Sequence, residues 1–263
     1  TSFFLKSVDN VKQWLYNGNI KLKEKRFKMN KEVKQISYDD TKPFLLKKHY
    51  AHRMPSISYA YGLFIDGVLH GVITYGSPAS RPLQVGLFGK EYAHYVIELN
   101  RLYVDDEISQ NIDNITSYFV GASLRDLKQY NKLVVSFADS GQHHLGGIYQ
   151  ATNFLYLGKT PQRTDRFAGF EKHPRHYDKN KKEIIRPIRS SKYKYIYFAM
   201  NKRLKKKLMK HLRYDIKPYP KDLQTQHYKV GETKQVYYKV VVTGEIVNEA
   251  EAERIYNEEE NNL

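Results

Sequence analysis

Leu133-Val134-Val135-Ser136-Phe137-Ala138-Asp139 is the stretch whose reading decides the fold. A β-prone run without a turn signal ends on a carboxylate, which reads as a buried strand. Ahead of it, Val96-Ile97-Glu98-Leu99-Asn100-Arg101-Leu102-Tyr103-Val104 lies in a second strand predicted over 95–104. Between the two, 112–130 has helical periodicity through Ile115, Tyr118, Phe119, Ala122, Leu124 and Leu127. Behind it, 145–157 reads as a helix, with Gly158 as its C-cap. Working outward, strands over 58–65 and 68–75 are joined by Asp66-Gly67, the two-residue hairpin signal. A strand at 33–38 and a helix from Asp39 or Asp40 through Tyr50, with Pro43 early in it, precede them. Residues 1–35 read as helical, and 76–94, rich in Gly, Pro and Ser, as a loop. Downstream come strands near 164–171 and 193–200, a basic helix over 203–212, a strand at 235–243 and an acidic helix or tail. A hairpin followed by βαβα predicts a mixed α/β sheet with helices on both faces. That order is compatible with a sheet in which two central strands splay and hold a ligand between them.

Charge is unevenly placed along the 263 residues. The formal net charge of +16 divides into +6 over 1–35, −1 over 36–158, +15 over 159–222 and −4 over 223–263. A basic stripe of this kind attracts a polyanion, most often nucleic acid. Many of the 23 tyrosines lie among the basic residues, as in Lys192-Tyr193-Lys194-Tyr195-Ile196-Tyr197-Phe198. Cations neutralise phosphates and aromatic faces stack on displaced bases, although tyrosines in a strand also simply pack a sheet. The absence of cysteine excludes a disulfide scaffold, a thiolate metal site and a cysteine nucleophile. No apolar window reaches the length of a membrane span, and Thr1–Lys6 is not followed by the apolar region of a signal peptide. The expectation is a soluble protein of the cytoplasm.

Several residues carry candidate chemistry. Asp139, at the carboxyl end of the central strand, suits a base, a metal ligand or a cap for the next turn. His49-Tyr50 closes a predicted helix; imidazole and phenolate with a carboxylate would make an N,O site suited to iron. Strict alternation places Glu98, Asn100 and Leu102 on one face of their strand and Leu99, Arg101 and Tyr103 on the other. Polar groups within such an apolar run need partners, structural or functional. No phosphate-binding loop, dinucleotide fingerprint, zinc-protease motif or nucleophile elbow is present.

Four blocks in order resemble the Mom family of phage DNA-modification proteins: 49–61, opening His49-Tyr50-Ala51-His52-Arg53-Met54-Pro55, then 96–104, 134–158 and 192–220. The likeness spans 36–221, and 134–158 is its most specific part. It implies a GNAT-like domain, with a mixed and mostly antiparallel central sheet, a basic N-terminal extension over 1–35 and a C-terminal extension over 223–263. It further implies transfer of a carbamoylmethyl group to the exocyclic N6 of adenine in double-stranded DNA, which shields phage DNA from host restriction. Iron held by His49, Tyr50 and Asp139 is the implied cofactor. Asp139, Ser123 and Tyr149 lie where the resemblance implies functional positions, and Arg101 and Glu98, singled out from their strand, complete the expected catalytic set. Phosphate contacts are expected from Arg163, Arg166, Lys172, Arg175, Lys192, Lys194, Lys202, Arg203, Lys205, Lys206, Lys207 and Lys210. The group donor is open. Where acetyltransferases carry a glycine-containing pyrophosphate loop, 107–114 has no glycine and two acids, which disfavours an acetyl-CoA site. Oligomeric state is equally open, a dimer included. The rival readings are an N-acyltransferase acting on a protein or small amine, and a non-enzymatic basic DNA-binding protein.

Overall fold

The structure, a computed structural model, describes residues 29–142, 144–170, 172, 176–221 and 236–261. The expected helix over 1–35 falls mostly outside them. Its last residues, Lys31–Gln35, form strand β1.

Seven strands make the main sheet in the order β1-β2-β3-β4-β5-β9-β6. They are β1, β2 (Tyr59–Ile65), β3 (Val68–Gly76), β4 (Val96–Val104), β5 (Lys132–Asp139), β6 (Leu155–Lys159) and β9 (Lys192–Ala199). All pairings are antiparallel except β4 with β5. Asp66 and Gly67, both at positive φ, turn the β2–β3 hairpin as the sequence signals. Helices cover both faces, as expected. On one face lie α3 (Asp106–Asn111), α4 (Ile115–Leu127) and α5 (Gly147–Ala151), packed on Ile73, Tyr75, Ile97, Leu99, Val134 and Ala138. On the other lie α2 (Arg81–Phe88) and α6 (Lys202–Met209), packed on Val96, Leu133, Val135, Ile196 and Phe198. That second face is completed by the π-turn Phe44–Lys48, which follows α1 (Tyr38–Pro43) and packs on Val72 and Tyr103.

A smaller sheet, β11-β10-β8-β7, joins β7 (Arg163–Thr164) and β8 (Ile185–Arg189) to β10 (Tyr237–Val240) and β11 (Ile246–Asn248). The acidic C-terminal segment is a helix, α7 (Glu249–Asn261). Its Ala252, Ile255 and Tyr256 pack with Phe167, Phe170, Ile184 and Tyr238. Residues far apart in sequence thus share one small core.

Several expected boundaries are corrected. The cap of α1 is Ser37, in a capping box with Asp40, rather than Asp39 or Asp40. The 76–94 loop contains α2, whose Leu87 and Phe88 are buried. The helix over 145–157 stops at Ala151. Asn153 turns at positive φ, Phe154 is fully buried, and the chain continues as edge strand β6, with Gly158 inside the strand rather than capping a helix. The strand near 164–171 shrinks to β7, the one at 235–243 to β10, and β11 is additional.

Candidate functional site

β4 and β5 pair in parallel at only three positions, Val96 with Leu133, Ile97 with Val134 and Glu98 with Val135. Beyond Glu98 the strands diverge, leaving a wedge open at their carboxyl ends. Ser136 sits at its vertex and donates to the Leu99 carbonyl across the gap at 3.2 Å. The expected splay of two central strands is therefore present.

A β-bulge brings Glu98 and Arg101 to the same side of the sheet. Thr74 pairs with Arg101 but Tyr75 pairs with Leu99, so Asn100 is an extra residue in β4. Before the bulge Ile97 and Leu99 face α4; after it Leu102 and Val104 do. Alternation alone separated Glu98 from Arg101, and the bulge corrects that expectation. Asn100 itself is tied down: its Oδ1 accepts from Thr74 Oγ1 at 2.6 Å and its Nδ2 donates to the Ser56 carbonyl at 2.7 Å. The latter bond seats the segment after His49 on the sheet.

The wedge is dry enough to move its ionisable groups. Burial raises the Glu98 carboxyl, against a hydrogen bond from the Ala79 backbone and the charges of Lys192 and Arg101. Burial also works against the charge of Arg101, which Tyr50 and Glu98 favour and Arg53 opposes; a guanidinium keeps its proton in such surroundings. Arg101 Nη1 donates to the Asn100 carbonyl at 2.6 Å, while its buried Nε has no acceptor among the described residues. From the α5 side, the buried Tyr149 lies within electrostatic reach of Glu98 and Tyr50. Burial pushes its phenol to about 12, a shift that the Ser136 hydroxyl tempers. Groups from both faces of the sheet thus meet through the gap.

His49 ends the π-turn and is buried. Burial first, then the charges of Arg101 and His52, hold its pKa near 4. Its Nδ1 accepts the Ala51 N–H at 3.0 Å, so the ring proton resides on Nε2. Tyr50 stacks on the imidazole, with ring centroids 4.4 Å apart and planes inclined by 28°.

This pair does not fit the expected iron site. A histidine ligand normally donates from its second ring nitrogen, whereas His49 accepts there. Stacked rings also send their in-plane lone pairs side by side, while ligand bonds of about 2 Å require them to converge. Asp139 meanwhile acts as a turn cap: its Oδ1 accepts from the Gly141 N–H at 2.9 Å and from the Ser190 hydroxyl. Among the described residues, no three His, Asp or Glu side chains form a group able to hold a metal.

The remaining sequence candidates separate. Ser123 lies in the core, giving its proton to the Val120 carbonyl and bonded to the Tyr75 hydroxyl at 2.6 Å. Lys194 is buried with its ammonium 3.9 Å from the Tyr214 ring centroid, so no phosphate reaches it without rearrangement. Lys192 pairs across from Asp139 and acts on Glu98, at the wedge rather than on an outer surface. Arg163, Arg166 and Lys172 are exposed, with Arg166 over the Tyr177 ring; Arg175 lies outside the described residues. Lys202, Arg203, Lys205, Lys206, Lys207 and Lys210 are exposed on or just after α6. Sequence reasoning missed Ser136 and Arg53. Ser136 had a signal, being the one hydroxyl in an apolar run.

Comparison with known proteins follows this geometry. A likeness to an IAA acetyltransferase from Bacillus cereus covers 64% of this chain and 99% of that one, at 12% identity and a TM-score of 0.39. An N-acetyltransferase from Staphylococcus aureus Mu50 gives 65% and 99%, at 15% identity and a TM-score of 0.40. Likenesses of this size add nothing to the strand order and the splay. In sequence, the methylcarbamoylase Mom of Escherichia phage Mu is 28% identical over 206 residues, 72% of this chain and 83% of that protein. The sequence model of the Mom protein family matches residues 30–221, which take in the wedge, both strands that form it and the basic helix. By that match, over well more than half its length, the chain belongs to the Mom protein family.

Proposed function

We propose that this protein is a DNA-modifying transferase that places a carbamoylmethyl group on the exocyclic N6 of adenine in duplex DNA, and so protects phage DNA from restriction in the bacterial cytoplasm. Family membership and the named activity of the Mu relative support the reaction. The observation that carries it is the wedge between β4 and β5, where Glu98, Arg101, Tyr149 and neutral His49 converge in a chain of net charge +16. Among the described residues, no helix is long and apolar enough to cross a membrane.

The adenine amine is stacked inside the duplex, so the base must leave the stack, at a cost of a few kcal/mol. Phosphate contacts from the basic residues offset that cost. In the wedge, a bond forms from N6 to the methylene carbon of the donor, and the bond from that carbon to its leaving group breaks. The leaving group takes the electron pair, and N6 gives up a proton. Glu98 is the acceptor for that proton, its basicity raised by burial. Arg101, with its buried Nε lacking an acceptor, donates to the carboxamide oxygen of the donor. Tyr149, held as a neutral phenol, orients the acceptor from the opposite side.

Where acetyltransferases hold a pyrophosphate, this chain has α3, with Asp106 and Glu107 in its first turn. That placement favours a donor other than an ordinary acyl-CoA. Mass spectrometry of nucleosides from DNA of cells making the protein tests the whole reading. Deoxyadenosine heavier by one carbamoylmethyl group is expected. Ordinary deoxyadenosine alone, from cells rich in folded protein, refutes it.

A further inference from the structure

We propose that the Tyr50 ring, backed by His49, is a stacking platform for the extruded purine rather than a metal ligand. This rests on the reading that an adenine enters the wedge. Tyr50 is 61% exposed although its stacking partner is buried. An aromatic ring this exposed, and seated on a second ring, presents a flat apolar surface to solvent.

The platform is preformed. His49 is fixed through Nδ1 by the Ala51 N–H, and its carbonyl accepts the His52 N–H at 3.0 Å. Further along, Ser56 is anchored by Asn100. An aromatic ring fixed before binding loses little freedom when a base stacks on it. The Asn100 bond seats this loop on β4 next to Arg101, and Tyr50 lies within electrostatic reach of Arg101 and Tyr149. The occupant is therefore planar and π-faced, with a polar edge toward Arg101 and Glu98. A purine has that shape; an alkylamine or a lysine side chain does not.

Stacking needs the ring, whereas metal ligation needs the phenol oxygen. The two roles therefore separate between Tyr50→Phe and Tyr50→Ala. Affinity is measured for duplexes carrying adenine opposite an abasic site, across all flanking contexts, and for the same duplexes with the adenine itself replaced by an abasic site. The wild-type protein is expected to prefer the base by roughly 10- to 100-fold. Tyr50→Phe should keep that preference. Tyr50→Ala should lose it while still binding the base-free duplex. If Tyr50→Phe loses the preference as fully as Tyr50→Ala, or if Tyr50→Ala retains it, the platform is refuted. The same holds if the wild-type protein shows no preference for the base. The nucleoside measurement is independent: a base preference without modified deoxyadenosine leaves the platform standing and removes the proposed reaction. Tyr50→Leu, with its melting temperature checked, substitutes for Tyr50→Ala should the latter not fold.

Discussion

Burial holds the His49 imidazole near a pKa of 4, below the 6.5 of the free side chain, and the difference couples protonation to folding. Between those two values the unfolded chain binds a proton that the folded chain refuses. Stability therefore rises with pH across that window. The contribution of His49 is fully present above about 6.5 and is lost as pH falls toward 4. Glu98, raised by burial, titrates with the opposite sign, so the wild-type curve alone mixes the two. The difference between wild type and His49→Gln isolates the histidine. Denaturant unfolding at several pH values should show this difference shrinking from pH 7 to pH 4; a constant difference would mean that His49 is not buried as a neutral ring. At this scale the sequence was legible in kind but not in placement. Glu98, Arg101 and His49 stand out as polar groups in an apolar strand or at a helix end, whereas Tyr149 entered only through the family resemblance. What brought Glu98 and Arg101 together was one extra residue at Asn100, and Asn100 gives no local sign of a bulge.

The segment from His49 to Ser58 is positioned by β3 and β4, not by helical structure of its own. Gly76 closes β3 beneath it, and a Cβ added there would lie 1.8 Å from the Ser56 carbonyl oxygen. That oxygen belongs to the backbone and also accepts from Asn100, so it cannot swing aside as a side chain would. Gly76→Ala should cost about 1–3 kcal/mol, the usual range for overpacking a filled site. It should also lower DNA modification by shifting the loop that carries Tyr50. Chemical denaturation and nucleoside analysis of the same variant check both effects; wild-type stability would show that the loop does not sit on β3. Long elements with clear periodicity, such as α4, and strands with turn signals, such as the β2–β3 hairpin, were readable beforehand. The short ones were not. α2 hides in a stretch of Gly, Pro and Ser, although Ser80 before Arg81-Pro82 is a helix start that composition obscured. β6 was absorbed into a helix because its apolar run is too short for periodicity to choose between helix and strand.

Under the proposed function, charge and shape of the whole molecule decide how a duplex would lie on it. The basic helix α6 does not begin beside the wedge. Its cap, Asn201, is bound through backbone and side chain to Asn131, at the end of β5 opposite Asp139. At about 3.3 Å per residue the length of β5 separates those ends by about 23 Å. That is about seven base pairs of a duplex rising 3.4 Å per pair, so one DNA segment can serve both. α6 also pays for its charge. No acid sits in its first turn, and Lys202, Lys206 and Lys210 follow one another at like-charged i,i+4 spacing. Lys205 and Lys207 lie over Phe198 and Tyr92, which leaves the 202–206–210 row as the cleaner probe. Replacing all three with Ala removes two repulsive pairs, each worth about 0.2–0.5 kcal/mol, and should stabilise the free protein slightly. If the row contacts phosphates, the same variant should bind duplex DNA more weakly and reduce the slope of log K against log salt by about 2–3. Titrations at several salt concentrations and thermal unfolding of the free protein give both numbers. A gain in stability with an unchanged salt slope would make α6 an ordinary solvated face. It would confine DNA contact to groups nearer the wedge, such as Arg53 and Lys192.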